Sequence, residues 1–148
     1  MLPSFARAGF ARTATLGVAV AVAAGVAACS SAGSPDAQAF PLQVDSNSGA
    51  LHAEVHADPE PPARGSNTLE LTITRTSDGA PVDGLSLEVE PWMPAMNHGT
   101  SAKPVVVSEG GGRYLVSELY LYMPGRWELR TTMTGPMTDE VTPALQIP

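Results

Sequence analysis

From residue 50 onward the hydrophobic positions recur with period two. Leu51, Ala53, Val55 and Ala57 interleave with His52, Glu54 and His56. Leu69, Leu71 and Ile73 interleave with Thr68, Glu70, Thr72 and Thr74, and Leu85, Leu87 and Val89 interleave with Ser86, Glu88 and Glu90. Such alternation marks strands with one buried face. Val105-Val106-Val107 predicts a short apolar strand, and residues 113–122 predict a longer one with Tyr114, Val116, Tyr120 and Tyr122 on one phase. Trp127, Leu129 and Thr131 share a face opposite Glu128 and Arg130, with Trp127 in the core. Residues 141–147 predict a last strand, at a sheet edge because Pro143 has no amide donor. Ser77-Asp78-Gly79-Ala80-Pro81, Glu109-Gly110-Gly111-Gly112 and Met123-Pro124-Gly125 supply turns between these runs. Seven short strands and no competing helical period predict an all-β fold, an immunoglobulin-like β-sandwich over residues 50–148.

The first third of the chain has another character. Arg7 and Arg12 are the only charges before an Ala/Val-rich run from Thr13 to Ala28. As a helix that run is roughly 24 Å long, short of a hydrocarbon core of about 30 Å. A basic start, a short apolar run and small closing residues predict an export signal over residues 1–28. The run ends in Val26-Ala27-Ala28-Cys29, which resembles the lipobox of bacterial lipoproteins. That resemblance implies acylation of Cys29, a lipid anchor as the partner, and a place in the cell envelope on the extracytoplasmic side. In a Gram-negative cell this is the periplasm, and Ser30 in place of an aspartate favours the outer membrane. Residues 29–49, rich in Ser, Ala, Gly, Pro and Asp, predict a flexible linker, whose end is left open because Phe40 and Leu42 can dock onto the domain.

Composition narrows the function. The 148 residues carry 8 basic and 15 acidic side chains, and pI is near 4.7. Removal of residues 1–28 takes away two arginines and leaves a formal charge of −9. No basic patch is available for phosphates, so nucleic acid is not a partner. One cysteine excludes an intrachain disulfide and any multi-thiolate zinc or iron–sulfur site, and its acylation would leave no thiolate for blue copper. No paired carboxylates and no Ser–His–Asp spacing suggest an enzyme.

The informative stretch is Pro91-Trp92-Met93-Pro94-Ala95-Met96-Asn97-His98-Gly99-Thr100. Thioether and imidazole donors suit Cu(I). Met93, Met96 and His98 lie within six residues of one another, Met123 sits in a neighbouring turn, and Trp92 offers a ring face as a cation–π cap. The same residues also fit packing, since thioethers fill irregular gaps at the end of a sandwich. His52 and His56 lie four residues apart on a strand, roughly 13 Å, too far to chelate one ion together.

Met93-Pro-Ala-Met-Asn-His-Gly99, Pro104, Gly112-Arg-Tyr114 and Leu121-Tyr-Met-Pro-Gly-Arg-Trp-Glu-Leu129, with Arg64-Gly65-Ser-Asn-Thr-Leu69 upstream, resemble the YtkA-like domain, itself similar to FixH proteins. The resemblance covers residues 50–148. It implies a small extracytoplasmic β-sandwich without a catalytic role, associated with metal handling or oxidase assembly. Two functions are therefore carried forward. One is a tethered copper-binding module that delivers Cu(I) to an exporter or an oxidase-assembly protein. The other is a protein-interaction module whose Met-rich loop is structural. Replacing Cys29→Ser is expected to abolish incorporation of labelled palmitate and to release the chain from the membrane fraction.

Overall fold

The computed structural model describes residues 38–148, so the expected signal and the lipidation position Cys29 lie outside the described residues. The strands are β1 (Leu42–Asp45), β2 (Leu51–Asp58), β3 (Gly65–Arg75), β4 (Ser86–Met93), β5 (His98–Gly99), β6 (Val105–Gly110), β7 (Arg113–Leu121), β8 (Gly125–Thr134), β9 (Asp139–Val141) and β10 (Ala144–Ile147). They form two antiparallel sheets of five. One has the order β1-β2-β3-β7-β6; the other has the order β10-β8-β4-β5, with β9 also pairing β8. The alternating residues of both sheets meet in one core. Leu51, Val55, Leu71, Ile73 and Val116 come from the first sheet, and Val89, Trp127, Leu129, Met133 and Leu145 from the second.

All seven expected strands are present, but the described count is ten, and three physical causes account for the difference. β1 lies inside the stretch expected to be linker: Leu42 and Val44 are half-buried against β2 while Gln43 and Asp45 are exposed. The sheet therefore begins before residue 50, and the docking open to Phe40 and Leu42 is realised, with Val44 beside them against the core. β5 has two residues, too short for any period. The last expected strand is interrupted at Pro143, with β9 and β10 pairing successive parts of β8. Its edge position agrees with the expectation from Pro143.

β7 departs from simple alternation. Its register against β3 slips between Asn67 and Leu69, and Glu118 has φ of 56°. One extra residue on β7 makes a β-bulge, and every side chain beyond it changes face. Leu119 and Leu121 enter the core, while Tyr120 and Tyr122 move to the other phase and stack with ring centroids 5.9 Å apart. The expected common phase for Tyr114, Val116, Tyr120 and Tyr122 is thus corrected at Glu118. Unbroken alternation would have buried that carboxylate.

Two polar clasps close the sandwich. The buried Tyr114 hydroxyl donates to the Val82 carbonyl at 2.8 Å and accepts from the Leu85 amide at 3.1 Å, fixing the crossover between β3 and β4. Asp139 on β9 accepts from the Ser48 hydroxyl at 2.5 Å and from the Ser48 and Glu140 amides, tying the β1–β2 turn to the opposite sheet. Among the described residues no buried side-chain nitrogen or oxygen lacks a partner.

Burial by itself would raise the Asp139 pKa, but hydrogen bonds from Ser46, Ser48 and the two amides outweigh it and hold the value at about 2, against an ordinary 3.8. The folded-state value is depressed, so the stabilisation is complete above the unfolded value and is lost as pH falls from about 4 through about 2. Asp139→Asn is expected to cost about 2 kcal/mol at pH 7. Urea unfolding between pH 7 and pH 2 should show this difference shrinking as acid removes the same contribution from the parent chain.

Candidate metal centre

The Met/His motif forms a tight hairpin between β4 and β5. Pro94, Ala95, Met96 and Asn97 make the turn, closed by the Met96 amide on the Met93 carbonyl at 3.1 Å and the Asn97 amide on the Pro94 carbonyl at 3.2 Å. Asn97 takes φ of 51°, a left-handed conformation that asparagine tolerates better than most residues. The motif's glycine has a steric role. A Cβ on Gly99 would lie 2.6 Å from the Pro91 carbonyl oxygen, so β5 can approach β4 only without a side chain there.

The hairpin separates the residues that the sequence grouped. Trp92 points to the outer face of its sheet, where the Arg130 guanidinium lies 4.4 Å from the ring centroid. Its cation–π partner in this structure is therefore an internal cation. Met93 points inward, is 3% exposed, and packs its methyl toward Gly125. It is a core residue, which fits the packing reading for this one sulfur. Met96 occupies the hairpin tip and is 58% exposed. The three loop residues do not share one orientation.

His98 and Met123 do share a location. Both line a cavity of about 290 Å³ at the open end of the sandwich, together with Gly99, Tyr120, Tyr122 and Trp127. His98 is the register partner of Met93, and directly opposed residues of an antiparallel pair project to the same face. The imidazole thus lies on the core-facing side of a sheet edge while remaining exposed. Its Nδ1 lies 3.1 Å from the Gly99 carbonyl oxygen, which can only accept, so Nδ1–H is the donor in this contact and Nε2 is the nitrogen left for a ligand role. Met123 is held by the turn into β8: the Trp127 indole N–H donates to the Met123 carbonyl at 3.0 Å.

The sequence reading missed Tyr120 and Tyr122 as walls of this cavity, because they reach it only through the bulge. The available signal was Glu118, a charged residue falling on the inward phase of β7. His52 and His56 serve other ends. His52 contacts Asp45 at 2.7 Å and Gln43 at 2.5 Å on β1, and His56 contacts Glu54 at 3.1 Å. Among the described residues no three His, Cys, Asp or Glu side chains gather as a metal site.

Gly99→Ala is expected to push β5 away from the Pro91 carbonyl, displacing His98 and costing about 1–3 kcal/mol, read from urea unfolding midpoints. An unchanged midpoint would mean that the hairpin relaxes without strain.

Known proteins offer one match. The family model described as YtkA-like aligns with residues 45–132, which is more than half of the chain and includes the hairpin, the bulged strand and Trp127. Neither the curated proteins nor the solved structures contain a match to the chain. With the MPAMNHG hairpin and the MPGRW turn both inside the aligned region, the chain belongs to the YtkA-like family.

Proposed function

We propose that this chain is a lipid-tethered extracytoplasmic accessory module that binds Cu(I) at the open end of its sandwich. Membership of the YtkA-like family supports the extracytoplasmic accessory role. One observation carries the metal reading: the His98 imidazole and the Met123 thioether line the same cavity, and the Nδ1–H of His98 is engaged by a backbone carbonyl. Such a bond directs Nε2 outward as a ligand, as it does in metal-bound histidines. A neutral imidazole with thioether favours Cu(I) over hard cations, and the lining of this cavity includes none of the fifteen carboxylates. Met96, exposed at the hairpin tip, is the third donor. Met93 is excluded as packing.

The proposed role is binding and transfer, without a catalytic step. Acylated Cys29 would hold the domain at the cell envelope, and an exporter or an oxidase-assembly protein would receive the metal. The fold assignment can be taken one step finer on the same footing. The orders β2-β3-β7-β6 and β4-β8-β10 support an immunoglobulin-like arrangement, with β1 and β5 as additions at sheet edges.

A second reading has its own support. Met96 and Tyr122 are 58% and 67% exposed near the same end, which suits contact with a partner protein even without metal. Titration of the protein with Cu(I) against a competing chelator separates the two. His98→Gln and Met123→Leu are each expected to weaken binding at least about tenfold, whereas Met93→Leu leaves it unchanged. Undiminished affinity in the His98→Gln, Met123→Leu double variant would remove the metal reading and leave the interaction module.

A further inference from the structure

The edges of the two sheets are protected unequally. The β10 edge is capped by the side-chain amide of Gln38, which donates to the Ala144 carbonyl at 2.6 Å and accepts from the Gln146 amide at 2.9 Å. The β9 edge is engaged by the Asn47 amide, which donates to the Glu140 carbonyl at 2.8 Å. β5 has only two residues, and β1 has four and follows Pro41. β6 has six residues, pairs β7 on one side only, and leaves Val105 and Val107 45% and 51% exposed. Val106, between them, packs against the core. An exposed apolar edge of this kind is a template for another strand.

The chemistry of β6 is symmetric about Val106. Reading outward from it, Val105 answers Val107, Pro104 answers Ser108 and Lys103 answers Glu109. An antiparallel partner of the same sequence, related by a two-fold axis at Val106, places Val105 opposite the second copy's Val107 twice and Lys103 beside its Glu109 twice. The β-branched pairs face one another within the ladder, and the opposite charges flank it, Lys103 just before β6 and Glu109 at its irregularity. A two-fold contact of this kind is isologous, so it closes on a dimer and does not propagate. We propose that β6 is a homodimer interface, joining the two five-stranded sheets of two copies into one continuous sheet.

The geometry also limits the dimer. Pro104 has no amide to donate, and the register irregularity between Ser108 and Gly110 ends regular pairing at Glu109. The shared edge is short, so the interface belongs to the small, weakly associating class. The strongly acidic body adds general repulsion, which the two Lys103–Glu109 pairs oppose locally. Lys103 now contacts Glu88 of its own chain at 2.6 Å. That ion pair is exposed and gives way readily. This inference is independent of the metal reading.

Charge reversal tests the register. The full chain carrying Cys29→Ser, in detergent micelles, is followed by sedimentation equilibrium over a concentration series into the millimolar range. Lys103→Glu and Glu109→Lys alone are each expected to raise the dimer dissociation constant about fivefold to tenfold, and the double reversal to restore it. The single changes shift net charge in opposite directions. A general charge effect would therefore weaken association in the first and tighten it in the second. In the same background, mixing Val105→Cys chains with Val107→Cys chains should give more disulfide-linked dimer than either alone. Monomer throughout the series, insensitivity to both reversals, or tightening by Glu109→Lys would overturn the proposal.

Discussion

The indole of Trp127 joins the core of this protein to its open end. Its ring is buried in the sandwich, where a side chain of this size contributes several kcal/mol through apolar burial. Its N–H must find a partner there, and it finds the Met123 carbonyl one turn earlier in the chain. The same bond therefore satisfies a buried donor and fixes the turn that carries the Met123 thioether to the cavity wall. Met93 supports this arrangement from below, since its methyl fills the space left by Gly125. Core packing and the placement of the candidate ligand are thus one constraint, and neither can be altered without the other.

The polar clasps act at other points of the same two layers. Tyr114 fixes a crossover between the sheets, and Asp139 fixes a turn of one sheet to an outer strand of the other. Both are buried polar groups with every demand met, the condition under which such groups favour one packing over its alternatives. At the open end the described clasp is the Trp127–Met123 bond, which ties one turn and leaves the hairpin free of it. That end is closed by a two-residue strand, a short hairpin and a pair of stacked tyrosines. An end with few obligatory bonds is where a ligand or a partner can be admitted without breaking the core.

Most of the sheet structure was legible because half-buried strands advertise themselves by period two. β2, β3, β4 and β8 each carry four or more alternations that no helical reading accommodates. β1 and β5 were hidden by length, since four and two residues give a period too little room. The bulge at Glu118 was hidden because one inserted residue inverts everything after it while leaving the composition unchanged. The candidate site was legible as a set of donor atoms but not as a geometry. Sequence proximity placed Met93, Met96 and His98 together, yet a strand sends neighbours to opposite faces. Met93 and Trp92 diverge for that reason, and His98 meets Met93 only across the hairpin.

That divergence also bears on why an acidic protein would select a soft cation. Most carboxylates of the described residues lie on solvated strand faces and in loops, Asp139 being the buried exception. The cavity at the hairpin is lined instead by His98, Met123, Trp127, two tyrosines and the small residues Gly99, Thr100, Ser101 and Ala102, with no carboxylate. Its low charge leaves a hard cation no strong ligand, while sulfur and a neutral nitrogen lose little on leaving water. On the proposed reading, selectivity arises from keeping the acids out of the cavity that the Met123 thioether and the His98 imidazole share. The hairpin achieves this by alternation: the phase of β4 that buries Met93 sends Glu88 and Glu90 to the opposite face. Any substitution that slips the β4–β5 register by one residue would turn His98 to the face that carries those carboxylates, and the cavity would lose its nitrogen donor while keeping the Met123 thioether.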